Sequence, residues 1–213
     1  MEQKSMRDAD NILMDRVVLA ALQNIPFDGL NMNSVCIGAK AIGCSVDQIN
    51  ILFPNGIRSF ISHWSTLADR MLGKEVNCEE LMTLRVRDRI ALLVQLRLSR
   101  WYSNRDAIKS IVGLSYLPPF REESVIHLSK TIDTIWCLAG DKSVDFNFYS
   151  KRLLLGGVFS STLLFWLEDN SQDSKDSWEF LDRRISNIMC IPKIRGKVEG
   201  LISKLPKVYG ARV

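Results

Sequence analysis

Histidine is nearly absent from this chain: two residues, His63 and His127, in 213. Neither stands at zinc-ligand spacing from a cysteine, and the Glu-x-x-His pairs of a di-iron carboxylate bundle are missing. No glycine-rich phosphate loop, dinucleotide fingerprint or Gly-x-Ser-x-Gly elbow is present. Glu123 and His127, four apart, could share one helix face. They are the sparse material for a catalytic reading, and a non-enzyme with no cofactor is expected. The five cysteines (36, 44, 78, 137, 190) are odd in number and scattered, with no Cys-x-x-Cys. The opening "MEQKSMRDAD" is charged and lacks an apolar stretch, so no secretory signal is expected. Reduced thiols in a cytoplasm-like compartment are the expectation.

Long hydrophobic runs are also lacking. The longest uncharged stretch covers the fifteen residues Leu153 to Leu167. As a helix it would extend about 22 Å, short of the ~30 Å hydrocarbon core of a bilayer. Lys151, Arg152, Glu168 and Asp169 bracket it closely. It reads as a buried helix. Gly156 and Gly157 at its centre cost about 1 kcal/mol each relative to alanine, which suggests a close approach there by a neighbouring helix or an apolar ligand.

What is present is helical periodicity nearly throughout. A first helix, capped at Asp8 or Asp10, runs to about Asn24. "NIPFDGLNMNSV" reads as a connection, followed by a short helix over about 32–41. Gly43 closes it and Ser45 caps the next. Pro54-Asn55-Gly56 is a turn, and Ile57, Phe60, Ile61, Trp64 and Leu67 recur at helical spacing. "EELMTLRVRDRIALLVQLRLSRWY" reads as one long helix, and Asn104 caps a shorter one. After Pro118-Pro119 a helix continues to Gly140, and another follows over about 147–169. A further helix begins at Trp178, and Pro192 is expected to start a last one. The expectation is an all-α fold of about ten helices. It divides into a helix-turn-helix region (1–72), a ligand-binding and dimerisation body (73–190) and a basic tail (191–213).

Two short helices joined by "AIGCSVD" resemble the amino-terminal domain of tetracycline-repressor-type regulators. Yet residues 41–57 contain no Lys or Arg. Gln48 and Asn50 alone could read bases, and nothing there could hold phosphates, which supply most sequence-independent affinity. A degenerate helix-turn-helix that binds no nucleic acid is expected; a ligand-responsive repressor is the alternative. Positive charge instead gathers in the tail, where residues 191–213 carry +5 of the net +4 and residues 1–190 carry −1. Ile194, Val198, Leu201, Ile202 and Leu205 would share one face of a tail helix, with Lys193, Arg195, Lys197 and Lys204 mainly elsewhere. Such a helix suits a bilayer interface, at about 1 kcal/mol per basic residue near an anionic surface. Packing on the protein's own body is the other reading.

"IDTIWCLAGDKSVDFNFYSKRLLL" and "WLEDNSQDSKDSWEFLDRRISNIM" (132–155 and 166–189) strongly resemble the Coq-nine family, lipid-binding accessory proteins of ubiquinone biosynthesis. Trp136, Ala139, Gly140, Asp141, Ser143, Asp145, Phe146, Asn147, Tyr149 and Arg152 carry the first part of the pattern. Asp176, Trp178, Phe180, Leu181 and Arg184 carry the second. The match is dense over 130–190 and looser over 8–129, where "LFPNG" agrees; Phe148 stands where the family commonly has tryptophan. The resemblance implies a tetracycline-repressor-like fold that has lost its DNA role, and a homodimer packed through 147–168 and 177–189. It also implies binding of an isoprenoid quinone intermediate and its delivery to the demethoxyubiquinone hydroxylase. The partner surface is then expected at Trp136, Asp141, Asp145, Phe146, Asn147, Phe148, Tyr149 and Arg152. The lipid pocket is expected at Leu93, Leu96, Trp101, Ile132, Ile135, Leu155, Val158, Phe159 and Thr162. The expected location is the cytoplasmic face of a bacterial inner membrane, or the matrix face in mitochondria, held peripherally through the tail.

Overall fold

The computed structural model describes the backbone of residues 2–141 and 146–202 and the side chains of 8–141 and 149–188. Within these every regular element is a helix. An amino-terminal unit holds α1 (Glu2–Leu22), the single turn α2 (Ile25–Asp28), α3 (Met32–Ala41) and α4 (Val46–Leu52). The long α5 (Ile57–Glu75) joins it to a body of α6 (Cys78–Thr83), α7 (Val86–Ser99), α8 (Arg105–Ser115), α9 (Pro118–Leu138), α10 (Phe146–Glu168) and α11 (Lys175–Ile202). In the body α5 lies on α7 and α9, while α10 lies on α9 and α11.

Local signals account for most boundaries. Asn31 caps α3 through its side chain, which accepts from the Ser34 N–H at 3.0 Å. Ser45 and Gln48 form a reciprocal capping box at the start of α4. Gly38 is where α3 crosses α1: a Cβ there would lie 2.6 Å from the Ala21 backbone. Only a glycine permits that approach, which buries Val17, Val18, Ala21, Val35 and Ala39.

Four boundaries differ from the sequence expectation. The first helix starts at Glu2, and the connection after it contains α2. The long helix expected from 79 to 101 is broken into α6 and α7 at Leu84-Arg85. Arg89 rescues the carbonyls freed by that break, donating to Leu84 O and Met82 O at 2.8 Å each. Finally α11 runs unbroken through Pro192 instead of restarting there. The stretch from Ile185 to Ile194 holds no glycine that could close a preceding helix with a left-handed residue.

Candidate functional site

The residues of the "WCLAGD" motif build the joint between α9 and α10. Gly140 takes φ +82° and ends α9 in a Schellman turn, with its N–H on Cys137 O and the Asp141 N–H on Trp136 O. A Cβ on Gly140 would meet Met82 at 3.1 Å. Arg89 ties the joint to α7 by donating to Ala139 O at 2.9 Å. The Asp141 side chain, 8% exposed, accepts from Lys151 Nζ at 2.9 Å and lies 3.6 Å from Arg152 Nη1. Arg152 also pairs with Asp133. The Trp136 indole donates to Lys151 O at 3.4 Å, and the Lys151 ammonium lies over its ring.

Beside this joint opens a cavity of about 470 Å³ between α7, α9, α10 and α11. Its walls are mainly apolar, including Val86, Ile90, Leu154, Leu155, Val158 and Ile188, with Trp136, Asp141 and Lys151 at one side. Two sets of expected residues therefore meet: Trp136 and Asp141 from the partner set, Leu155 and Val158 from the lipid set. The other lipid-set residues lie elsewhere. Trp101 and Phe159 line an interior chamber of about 110 Å³ between α5, α7, α8, α9 and α10. Ile132 lines a groove of about 460 Å³ on α9 and α10, whose floor is Gly156 and Gly157. Among the described residues nothing comes within contact distance of a Cβ at either glycine, so the close approach suggested by the sequence is not made by any described neighbouring helix. Leu93 and Ile135 are buried in the core, Thr162 is fully buried, and Leu96 is half-buried against the core.

Tyr149, 71% exposed, and Leu153 lie on the first turns of α10. Asp145 and the side chains of Phe146, Asn147 and Phe148 lie outside the described residues, as do Lys204, Leu205 and the side chains of Lys193, Ile194, Arg195, Lys197, Val198, Leu201 and Ile202.

Other clusters were not legible in the sequence. Asp69 accepts from Arg97 Nε at 2.9 Å and from Thr131 Oγ1 at 3.0 Å, joining α5, α7 and α9. Burial lowers the Arg97 pKa, and Asp69 opposes that shift. Asp15 accepts from Arg70 and lies 2.7 Å from His63 Nε2, beside a polar cleft of about 530 Å³. Both histidines line that cleft. Burial and Lys130 lower the pKa of His127 against the pull of Glu123 and Asp69, and Glu123 itself faces Arg58 at 3.7 Å. At the second joint, Asp169 accepts from the backbone N–H groups of Ser171 (2.7 Å) and Ser177 (2.9 Å) and from the Ser177 hydroxyl. Burial would raise its pKa, but these hydrogen bonds hold it at about 2. Arg105 donates to Asp169 O and Ser174 Oγ and lies over the Tyr102 and Trp166 rings.

The two joints fall in the stretch that matches a family model: residues 121–192 match the COQ9 family. Over 195 residues, 88% of this chain, the sequence is 30% identical to Xenopus laevis "Ubiquinone biosynthesis protein COQ9-B, mitochondrial". The chain belongs to the COQ9 family. The human relative of that name, without the suffix, is 27% identical over 194 residues, again 88% of the chain. The chain spans 66% of the frog protein's length and 61% of the human one's. In fold it is similar to a crystallised TetR transcriptional regulator from Nitrosomonas europaea, with a TM-score of 0.65, 20% identity, and coverage of 81% of this chain and 95% of that one. The all-α, TetR-like architecture expected from the sequence is thus the one observed. Among the described residues, no single helix is long and apolar enough to cross a membrane.

Proposed function

We propose that this COQ9-family chain acts in ubiquinone biosynthesis as a lipid-binding accessory protein, holding an isoprenoid quinone intermediate and presenting it to the demethoxyubiquinone hydroxylase. The observation that carries this reading is the cavity of about 470 Å³ beside the α9–α10 joint. Its volume lies within the ~300–1,000 Å³ of small-molecule sites. Its apolar walls suit a hydrocarbon chain, whose burial yields about 25 cal/mol per Å². Exposed Tyr149, with half-buried Trp136 near it, offers a partner an aromatic surface, and Asp141, its side chain buried, holds Lys151 beside it. The tail helix would rest on the membrane so that lipid could pass into the cavity.

A second copy would pair through α10 and α11, where Leu164 and Phe165 are exposed and Phe165 stacks on Phe180 at 4.6 Å. Native mass spectrometry of gently purified protein, with lipid identification, tests the reading. Co-purified isoprenoid lipid, lost in Leu154→Arg while the fold is retained, would support it; lipid carriage unchanged by that substitution would count against it.

The repressor alternative finds less support. On α4 the exposed side chains Val46, Asp47, Gln48, Asn50 and Ile51 include no cation. Salt-sensitive, sequence-selective retention of genomic fragments would reverse that judgement.

A further inference from the structure

The polar cleft of about 530 Å³ between α1, α5 and α9 plays no part in the lipid reading, yet its walls carry many polar groups. One face of α5 supplies Arg58, Ser62, Thr66 and Arg70, a row at four-residue spacing whose members follow one another by about 6 Å along the axis. Ser59 and His63 also come from α5, Glu123 and His127 from α9, and Asn11 and Met14 from α1.

The two guanidiniums are held differently. Arg70 is fixed by Asp15, which accepts from its Nη2 at 2.5 Å. Arg58 is held loosely: Glu123 stands 3.7 Å from its Nη1, and its guanidinium lies 5.6 Å from the centre of the Phe120 ring. That separation is too long for a hydrogen bond, and the Arg58 and Glu123 side chains are both partly exposed, where such a pair contributes little to stability. A guanidinium has five donors in a planar fork, so Arg58 can exchange Glu123 for a better acceptor. The nearby hydroxyls have capacity of both kinds. Ser59 Oγ accepts from the Asn55 N–H at 3.1 Å and keeps its own proton to donate; Thr66 Oγ1 donates to Ser62 O at 3.0 Å and keeps its lone pairs to accept. Met14, Leu52 and Ile126 add carbon surface. The volume lies within the ~300–1,000 Å³ of small-molecule sites.

To draw Arg58 from a carboxylate, a ligand needs more charge than a carboxylate carries. A phosphate monoester carries about −1.5 to −2 near pH 7, and its oxygens match the guanidinium fork. We propose that the cleft binds a phosphate monoester on a hydroxyl-bearing carbon body, the sugar-phosphate class, with Arg58 and Ser59 on the phosphate and Thr66 on a hydroxyl of the body. The cleft shares no lining residue with the cavity beside the α9–α10 joint, so the proposal stands apart from the lipid reading.

The test is isothermal titration of the full chain with ribose 5-phosphate, against ribose and inorganic phosphate as controls. Each control should bind at least about tenfold more weakly than the sugar phosphate. Arg58→Gln should weaken ribose 5-phosphate about tenfold, whereas Glu123→Gln should strengthen it about three- to fivefold by removing the competitor. A merely structural ion pair would give both variants effects of one sign. Thr66→Ala should weaken binding about three- to tenfold. Melting temperatures of the Arg58 and Glu123 variants should stay close to wild type. If Arg58→Gln does not fold, Arg58→Lys, which keeps the charge and loses the fork, should weaken binding about three- to fivefold. No binding of ribose 5-phosphate, equal binding of either control, weakening by Glu123→Gln, or unaltered affinity in the Arg58 variants would each overturn the proposal. Leu154→Arg should leave this binding intact; its loss there would place the phosphate in the other cavity and likewise overturn the proposal.

Discussion

The amino-terminal unit and the helical body solve opposite packing problems. In the first, α3 lies on α1 backbone against backbone, made possible by Gly38, and the interior closes on small side chains such as Ala21, Val35 and Ala39. In the second, long side chains keep the helices apart, and a chamber, a groove and a cavity remain between them. The exposed side chains of α4 include no cation, whereas hollows lie between the helices of the body. Packing depends on buried residues like Gly38, while recognition depends on exposed ones like Ile51.

The contrast can be broken most severely in the body. Asp69→Ala would strand the buried Arg97 guanidinium and the Thr131 hydroxyl, at an expected cost of about 3–5 kcal/mol, read from urea unfolding. A loss under about 1 kcal/mol would mean that water reaches Arg97. Next comes Gly38→Ala, which forces α3 off α1 and should cost about 3 kcal/mol by the same measurement. A near-neutral result would show that the amino-terminal unit is looser than its backbone contact implies.

Asp169→Asn tests the α10–α11 joint through pH. The carboxylate's pKa is depressed to about 2 from 3.8, so the folded state favours the ionised form. Its contribution is fully present above about pH 4 and is lost as pH falls toward 2, at about 2 kcal/mol in all. Wild type should lose that increment over this window in acid titrations of stability, and the asparagine variant should lack it. The smallest effect is expected from Ile51→Ser on the exposed face of α4, 78% exposed, within about 0.5 kcal/mol of wild type. A larger loss would mean that something covers that face.

Much of the architecture could be read locally. The cap at Ser45 and the helix end at Gly140 are found where they were expected, and the structure adds that Gln48 completes a capping box and that Gly140 takes a left-handed φ. The "WCLAGD" and Asp169–Trp178 stretches were legible as a resemblance, and the structure gives them a physical role as the two joints that fix α10. The break at Leu84-Arg85 was not legible, because nothing in its spacing reveals that Arg89 will bond the freed carbonyls. Nor were the Asp15–His63–Arg70 and Asp69–Arg97–Thr131 clusters, in which each aspartate's bonded partners lie 28 to 62 residues away from it. The expected lipid set illustrates the limit well: Leu93, Leu155 and Phe159 look alike on a helix face, yet one fills the core, one lines the cavity and one lines the chamber.

By itself the sequence determined the helical class, most helix ends, the cation-free second helix of the helix-turn-helix and the family, because caps, periodicity and charge act within a few residues of one another. Only the tertiary structure decided which apolar side chains are spent on each other and which face open space. Those outcomes depend on how far apart helices come to rest, and that distance is set jointly by side chains remote from one another in the chain.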